Sequence, residues 1–213
     1  MNGNQIVTTL DVILHWIMRL ALLNSLWLLY SLRGLIVGGV FPALVASMGV
    51  SRKWLMGDED IKIWKTFKGI YRQEFTKANI IGWLLTVIGS LLYLNYRLLE
   101  SSTSEVMFII PFAFYLICFF YVIVFLWTFP MLAHYDATWQ QHLKNAFVVG
   151  LTKIHFTLAS GVVVFAICYY SLGFPGLIPF FTIGFISVGC MWLSLQVFQK
   201  LDLHSTFPMV VPE

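Results

Sequence analysis

Few side chains in this sequence are of a type that does chemistry. There are five histidines, His15, His134, His142, His155 and His204, and three cysteines, Cys118, Cys168 and Cys190. A zinc site would need ligands at characteristic spacings, and neither His-Glu-x-x-His nor Cys-x-x-Cys occurs. No glycine-rich loop is followed by Lys-Ser or Lys-Thr, so there is no phosphate-cradling P-loop. The cysteines all sit in apolar runs, where Cys behaves as a small hydrophobe. A haem held by two histidines would need them to face each other across a bundle. His15 and His155 are the pair at suitable depth, and the topology derived below sends them toward opposite surfaces. The expectation is a protein with no enzymatic activity, no metal and no cofactor.

Ionisable groups inside otherwise apolar segments are the remaining candidates, because burying a charge in hydrocarbon is costly and is kept where it serves a purpose. These are Arg19, Arg33, Lys153 and His155. Arg33, within a long apolar segment, is the candidate intramembrane polar contact. Its bland alternative is an arginine that caps a helix break or snorkels to the surface. No Asp or Glu lies in a clear span, which argues against proton- or sodium-coupled transport.

The segments that must position these groups are membrane helices. From Ile154 to Gln199 there is no Asp, Glu, Lys or Arg, and Gly173, Pro175 and Gly176 break that run near its middle. A span takes about 20 apolar residues to cross roughly 30 Å of hydrocarbon. The composition agrees: 59% of residues are hydrophobic and 11% charged, against roughly 25% charged in a soluble domain. The reading is an all-α, polytopic transmembrane bundle forming one integral membrane domain over 1–213, with spans at about 20–46, 78–96, 106–129, 145–170 and 176–198. The first is long and kinked. Its alternative is two spans parted at Arg33-Gly34, six in all. Met1 to Leu10 has no Lys or Arg before the apolar stretch, unlike a cleaved signal peptide, so the first span is expected to be retained.

Charge sets the expected orientation. The segment Ser51–Lys77 holds Arg52, Lys53, Lys62, Lys65, Lys68, Arg72 and Lys77, seven of the chain's 13 basic residues. Basic loops stay in the cytoplasm. Within this loop Ile61, Trp64, Phe67, Tyr71 and Phe75 recur at three- and four-residue spacing, one stripe of a helix. Asp58, Glu59 and Asp60 precede it, where acids favour a helix N-terminus. An amphipathic helix on the inner membrane surface follows, with Trp64, Lys65, Lys68 and Arg72 as candidate contacts to a partner or to lipid. The spacings Gly34-x-x-x-Gly38 and Ala146-x-x-x-Gly150 would let helices approach closely.

The order of short motifs is recognisable. Asn24-Ser25-Leu26-Trp27 is followed by Gly34 and by Gly38-Gly39-Val40-Phe41-Pro42-Ala43. Then come Arg52-Lys53-Trp54-Leu55-Met56-Gly57-Asp58 and Tyr71-Arg72-Gln73-Glu74-Phe75-Thr76-Lys77-Ala78-Asn79. Phe129-Pro130-Met131-Leu132-Ala133-His134-Tyr135 and Leu143-Lys144-Asn145-Ala146 complete the set. Over nearly its whole length the chain resembles the YesL-like family of bacterial integral membrane proteins, which has no assigned biochemical function. His134 departs from the arginine that the resemblance leads one to expect there. Members are commonly encoded beside carbohydrate ABC importers and polysaccharide-degrading enzymes, so the resemblance implies a role with sugar uptake in the plasma membrane. The leading expectation is a non-catalytic accessory subunit or assembly factor packed against importer permease subunits and lipid, with no nucleic-acid partner. The alternatives are a small-solute channel or facilitator, and a sensor signalling through the basic helix.

Overall fold

A computed structural model describes residues 3–101 and 109–204. The described residues are helical, in the order α1 (Gly3–Arg33), α2 (Val40–Leu55), α3 (Ile63–Gln73), α4 (Phe75–Ser101), α5 (Ile109–His134), α6 (Trp139–Thr152), α7 (Ile154–Gly173) and α8 (Ile183–His204). A π-helical turn, Ile178–Thr182, opens α8. Among the described residues five helical segments are long and apolar enough to cross a membrane: Leu10–Arg33, Phe75–Glu100, Pro111–His134, Ile154–Gly173 and Ile178–Asp202. Large apolar side chains stand exposed on their outer faces, among them Leu91, Tyr115, Phe165 and Trp192. Hydrocarbon, not water, is the solvent that tolerates such a surface. The molecule is a multi-pass membrane bundle.

The expected first span at 20–46 is not one kinked helix. α1 stops at Arg33, and the chain reverses over residues 34–39. Leu35 and Ile36 take left-handed φ values of 55° and 64°, a conformation L-residues resist. Helix-terminal bonds hold the turn: Ile36 N–H donates to the Ser31 carbonyl at 2.8 Å, and Gly38 N–H to the Gly34 carbonyl at 3.0 Å. From outside, Asn79 Nδ2 donates to the Gly38 carbonyl at 3.0 Å and Trp83 Nε1 to the Val37 carbonyl at 3.0 Å. The reversal is this tight because Gly34 and Gly39 let two backbones touch. A Cβ on either would meet the other turn's main chain. So the Gly34/Gly38 pair serves a turn and not a helix–helix seam.

α2 then runs back along α1, with Trp54 packed edge-on against Trp16 at 6.2 Å. At 16 residues it is about 24 Å long. It is the most enclosed element, packed by α1, α3, α4, α5 and α8. Small residues make this possible: Ala43, Ala46, Ser47 and Ser51 are fully buried, and Ile70 of α3 closes over Gly49. The two serine hydroxyls donate to the carbonyls of Ala43 and Ser47 at 2.9 Å, so they add no unpaired polar group.

Three apolar clusters hold the bundle. One joins α2, α4, α5 and α8 through Met48, Ile81, Phe129 and Met191. A second joins α1, α2 and α3 through Leu26, Tyr30, Val50, Trp54 and Phe67. The third joins α5, α6 and α8 through Trp127, Ala146 and Phe198. Gly150 of α6 lies under Ile123 and Trp127 of α5, so the Ala146/Gly150 pair does mark a close helix approach.

The span expected at 145–170 is also divided. α6 begins earlier, at a capping box in which Thr138 and Gln141 satisfy each other's backbone N–H groups. The helix then breaks at Lys153 (φ −115°, ψ 46°). The Thr157 hydroxyl fills the gap: it donates to the Gly150 carbonyl at 2.7 Å and accepts from the Trp127 indole at 2.8 Å. Lys153 therefore marks a helix junction within the chain's path through the bundle.

Candidate functional site

The polar interior gathers at one end of the bundle, where α2, α5 and α8 finish and α4 and α6 begin. Three of the motifs read from the sequence meet there: Arg52 from the first, Glu74 and Lys77 from the second, His134 and Tyr135 from the third.

Arg52 is 8% exposed. Its Nη1 donates to the carbonyls of Ala133 and His134 at 3.2 and 2.9 Å. These are the unpaired carbonyls at the C-terminus of α5, a natural seat for a cation. Burial holds the guanidinium pKa below its usual value. Glu74 is the corner residue between α3 and α4 and is 5% exposed. Its Oε2 is buried and accepts no hydrogen bond among the described residues. Lys77 Nζ stands 4.0 Å from Glu74 and makes its close ion pair with Asp136. Burial outweighs the pull of Lys77 and raises the Glu74 pKa, and the Asp136 charge adds to the rise. The hydrogen bond and charge of Lys77 lower that of Asp136.

Behind Arg52, the His134 ring stacks on Phe198 at 4.8 Å and lies 3.7 Å from Asp202 Oδ2. The Tyr135 hydroxyl donates to Asp202 Oδ1 at 2.9 Å. Burial, followed by that carboxylate, raises the Tyr135 pKa. His142 is fully enclosed, and burial followed by the Lys77 charge pushes its pKa down to about 4. Arg52, Lys53, Lys65, Thr66, Gln73 and Glu74 contribute to the wall of a cavity of about 300 Å³ beside this cluster.

The sequence-derived candidates are placed as follows. Phe67 and Tyr71 of the predicted stripe are buried, but Trp64 is 53% and Phe75 39% exposed. Ile63 and Ile70 pack inward in their stead, and Glu74 is buried one turn beyond Tyr71. The stripe drifts because α3 ends at Gln73 and Phe75 already belongs to α4. Trp64 makes an edge-on contact with Tyr30 at 5.9 Å. Lys65, Lys68 and Arg72 are exposed. The acids before α3 do not cap it: Glu59 accepts from Arg19 at 3.1 Å, and Arg19 also lies over the rings of Trp16 and Trp54. Arg33 is the last residue of α1 and is exposed. Among the described residues no three His, Cys, Asp or Glu side chains are placed to hold a metal.

Sequence reasoning passed over Arg52 and Glu74 as site residues. Glu74 had a usable signal, since it follows Tyr71 at the helical spacing of three. Arg52 had none, because its partners are carbonyls of another helix.

The Glu74 shift gives a testable pH dependence. A carboxyl whose folded pKa is raised contributes stability that is complete below its ordinary value of 4.5 and is lost as pH rises through the folded value. His142 acts in the opposite sense, its contribution being lost as pH falls from about 6.5 toward 4. The comparison of wild type with Glu74→Gln isolates the first effect. The thermal midpoint of the wild type in detergent should fall relative to the variant as pH rises above 4.5. Parallel curves would show that Glu74 titrates alike in the folded and unfolded chain.

A family profile described as "Protein of unknown function, DUF624" matches residues 20–96. Three proteins of Bacillus subtilis (strain 168) are similar to the chain. "Uncharacterized protein YteU" is 32% identical over 91% of this chain and 87% of its own length. "Uncharacterized protein YesV" is 32% identical over 87% and 89%, and "Uncharacterized protein YesL" 28% identical over 88% and 88%. No solved structure matches.

Proposed function

This chain belongs to the YesL-like, DUF624 family of membrane proteins, and on that premise we propose that it is a non-catalytic accessory subunit or assembly factor for a carbohydrate ABC importer. It sits in the bacterial plasma membrane with α3 on the cytoplasmic side, packed against lipid and permease subunits. The importer is what the family resemblance implies; the geometry of α3 supports the choice of docking surface.

The observation that carries the reading is the state of α3. One face is clamped to α1 and α2, with the Tyr30 ring in tilted contact with Phe67 and Tyr71 at 5.1 and 4.9 Å. The opposite face presents Lys65, Lys68 and Arg72, none of which makes an ion pair among the described residues. A cationic face on a backbone already held in place suits an acidic partner surface, since the helix itself needs no further ordering on docking. The buried hydroxyls favour this reading over a pore. Ser47, Ser51 and Thr128 each donate to a carbonyl four residues back in their own helix, which leaves them little to offer a solute.

The test is charge reversal. Lys65→Glu with Lys68→Glu should leave insertion and yield unchanged, because the apolar spans carry both. Recovery of permease subunits from native membrane in mild detergent should fall about tenfold, the loss of roughly 1.4 kcal/mol of docking energy. Wild-type recovery from a normally inserted variant would refute docking through this face.

A further inference from the structure

Arg52 presents a problem that the docking surface does not solve. It is a cation at 8% exposure that makes no ion pair among the described residues. Buried charges are normally paired, because an unpaired one forfeits its hydration without return. Nη1 is committed to two carbonyls of α5. At the opposite edge of the guanidinium Nε is buried with no hydrogen-bond partner among the described residues, and both printed bonds of the group leave from Nη1, not from Nη2. That edge is the one that grips two oxygens of a carboxylate or phosphate.

The surroundings fit an oxyanion. Arg52 forms part of the wall of the 300 Å³ cavity, with Lys53 from the same helix and Lys65 from α3. Neither lysine is ion-paired among the described residues. Thr66 and Gln73 add neutral donors to the wall. Gly69 lines it too and faces open space, where a Cβ would meet nothing. Glu74 is the one carboxyl on the wall. Burial raises its pKa, and Lys77 Nζ stands 4.0 Å from it, so its repulsion of an anion is weakened. Three cations against one such carboxyl exceed what a carboxylate needs and match a phosphate, and the volume accommodates the group to which it is esterified.

We propose that the cavity between α2, α3 and the end of α5 is a phosphate-binding site, in which the Nε/Nη2 edge of Arg52 clasps two phosphate oxygens and Lys53 and Lys65 neutralise the charge. A lipid headgroup and a soluble phosphate ester share this chemistry. The two readings share Lys65 and are separated by their readouts: phosphate binding is measured on the purified chain with no partner present, whereas Lys68, off the cavity wall, bears on docking alone.

The experiment has two arms. In the first, the full chain in detergent is titrated with inorganic phosphate and with glycerol 3-phosphate, and the thermal midpoint is followed. In the second, the chain is exposed to mixed vesicles of phosphatidylcholine and phosphatidylglycerol, and retained lipid is measured by native mass spectrometry. Saturable binding in either arm is expected and identifies the source. Lys53→Gln with Lys65→Gln should weaken it about tenfold or more, as should Arg52→Lys, which keeps the charge and loses the two-toothed edge. The control, Lys62→Gln with Lys144→Gln, removes the same charge from exposed positions off the cavity wall and should leave affinity unchanged. The proposal is overturned if neither arm saturates in the wild type. It is equally overturned if the control pair weakens binding as much as the cavity pair, the mark of diffuse attraction.

Discussion

Gly39→Ala is expected to destabilise the bundle by about 3 kcal/mol or more, at the upper end of what overpacking costs. The added Cβ would overlap the Ser31 backbone, its carbonyl oxygen and Cα, and also the Tyr30 carbonyl. All of these are main-chain atoms of α1, so no side chain can rotate away to relieve the clash. The overlap sits at the reversal that lets α2 return along α1. Relieving it means parting the two helices, and that loosens the cluster of Leu26, Tyr30, Ala43 and Val50. Gly34→Ala should behave alike, since its Cβ would meet the main chain of Gly39. The contrast is Gly69→Ala: Gly69 lies inside α3 with nothing near its Cβ position. That substitution should be neutral or stabilising by up to about 1 kcal/mol through helix propensity. Thermal unfolding and monodispersity in detergent read all three. A Gly39→Ala protein that unfolds at the wild-type temperature would mean the reversal is looser than described.

Asn24→Leu is expected to cost about 2–4 kcal/mol, although the two side chains are close in size. Asn24 is completely buried and acts as the cap of another helix. Its Nδ2 donates to the carbonyls of Ile178, at 3.3 Å, and Pro179, and its Oδ1 accepts from Ile183 N–H at 2.9 Å. The turn at Ile178–Thr182 is π-helical, so the regular four-residue ladder does not run through the start of this helix. Backbone groups freed in this way need partners where water is scarce. Leucine offers none, so two carbonyls and one N–H lose their bonds together. Ser25→Ala is the control: Ser25 is exposed and its hydroxyl only returns to the Ala21 carbonyl of its own helix, so the change should be near neutral. If Asn24→Leu unfolds with the control, solvent must reach the start of α8.

Much of the architecture was legible locally. The uncharged run from Ile154 to Gln199, interrupted at Gly173, Pro175 and Gly176, contains the two helices α7 and α8 that it predicted. The described residues hold five spanning-length helices as anticipated, but the first is Leu10–Arg33, and Arg33 ends it. Val40–Leu55 was misread because its apolar residues look the same facing protein or lipid. Apolarity reports distance from water and says nothing about which neighbour excludes it.

Hydropathy, charge and helical period are sums over neighbouring residues, and they were sufficient for the class, the long helices and the basic amphipathic α3. The meeting of Arg52 with the carbonyls of Ala133 and His134, the hold of Asn24 on the start of α8, and the contact of Gly34 with Gly39 are of another kind. Each depends on where a backbone atom of a different segment arrives, and an unpaired carbonyl or a missing Cβ leaves no periodic trace in the chain. A helix break such as that at Lys153 is likewise stabilised by Trp127, a side chain from another helix that bonds the bridging Thr157. Tertiary packing alone therefore decided where the charges left over from the membrane helices came together, and that convergence is what turned Arg52, Lys53 and Lys65 from three basic residues into one cavity wall.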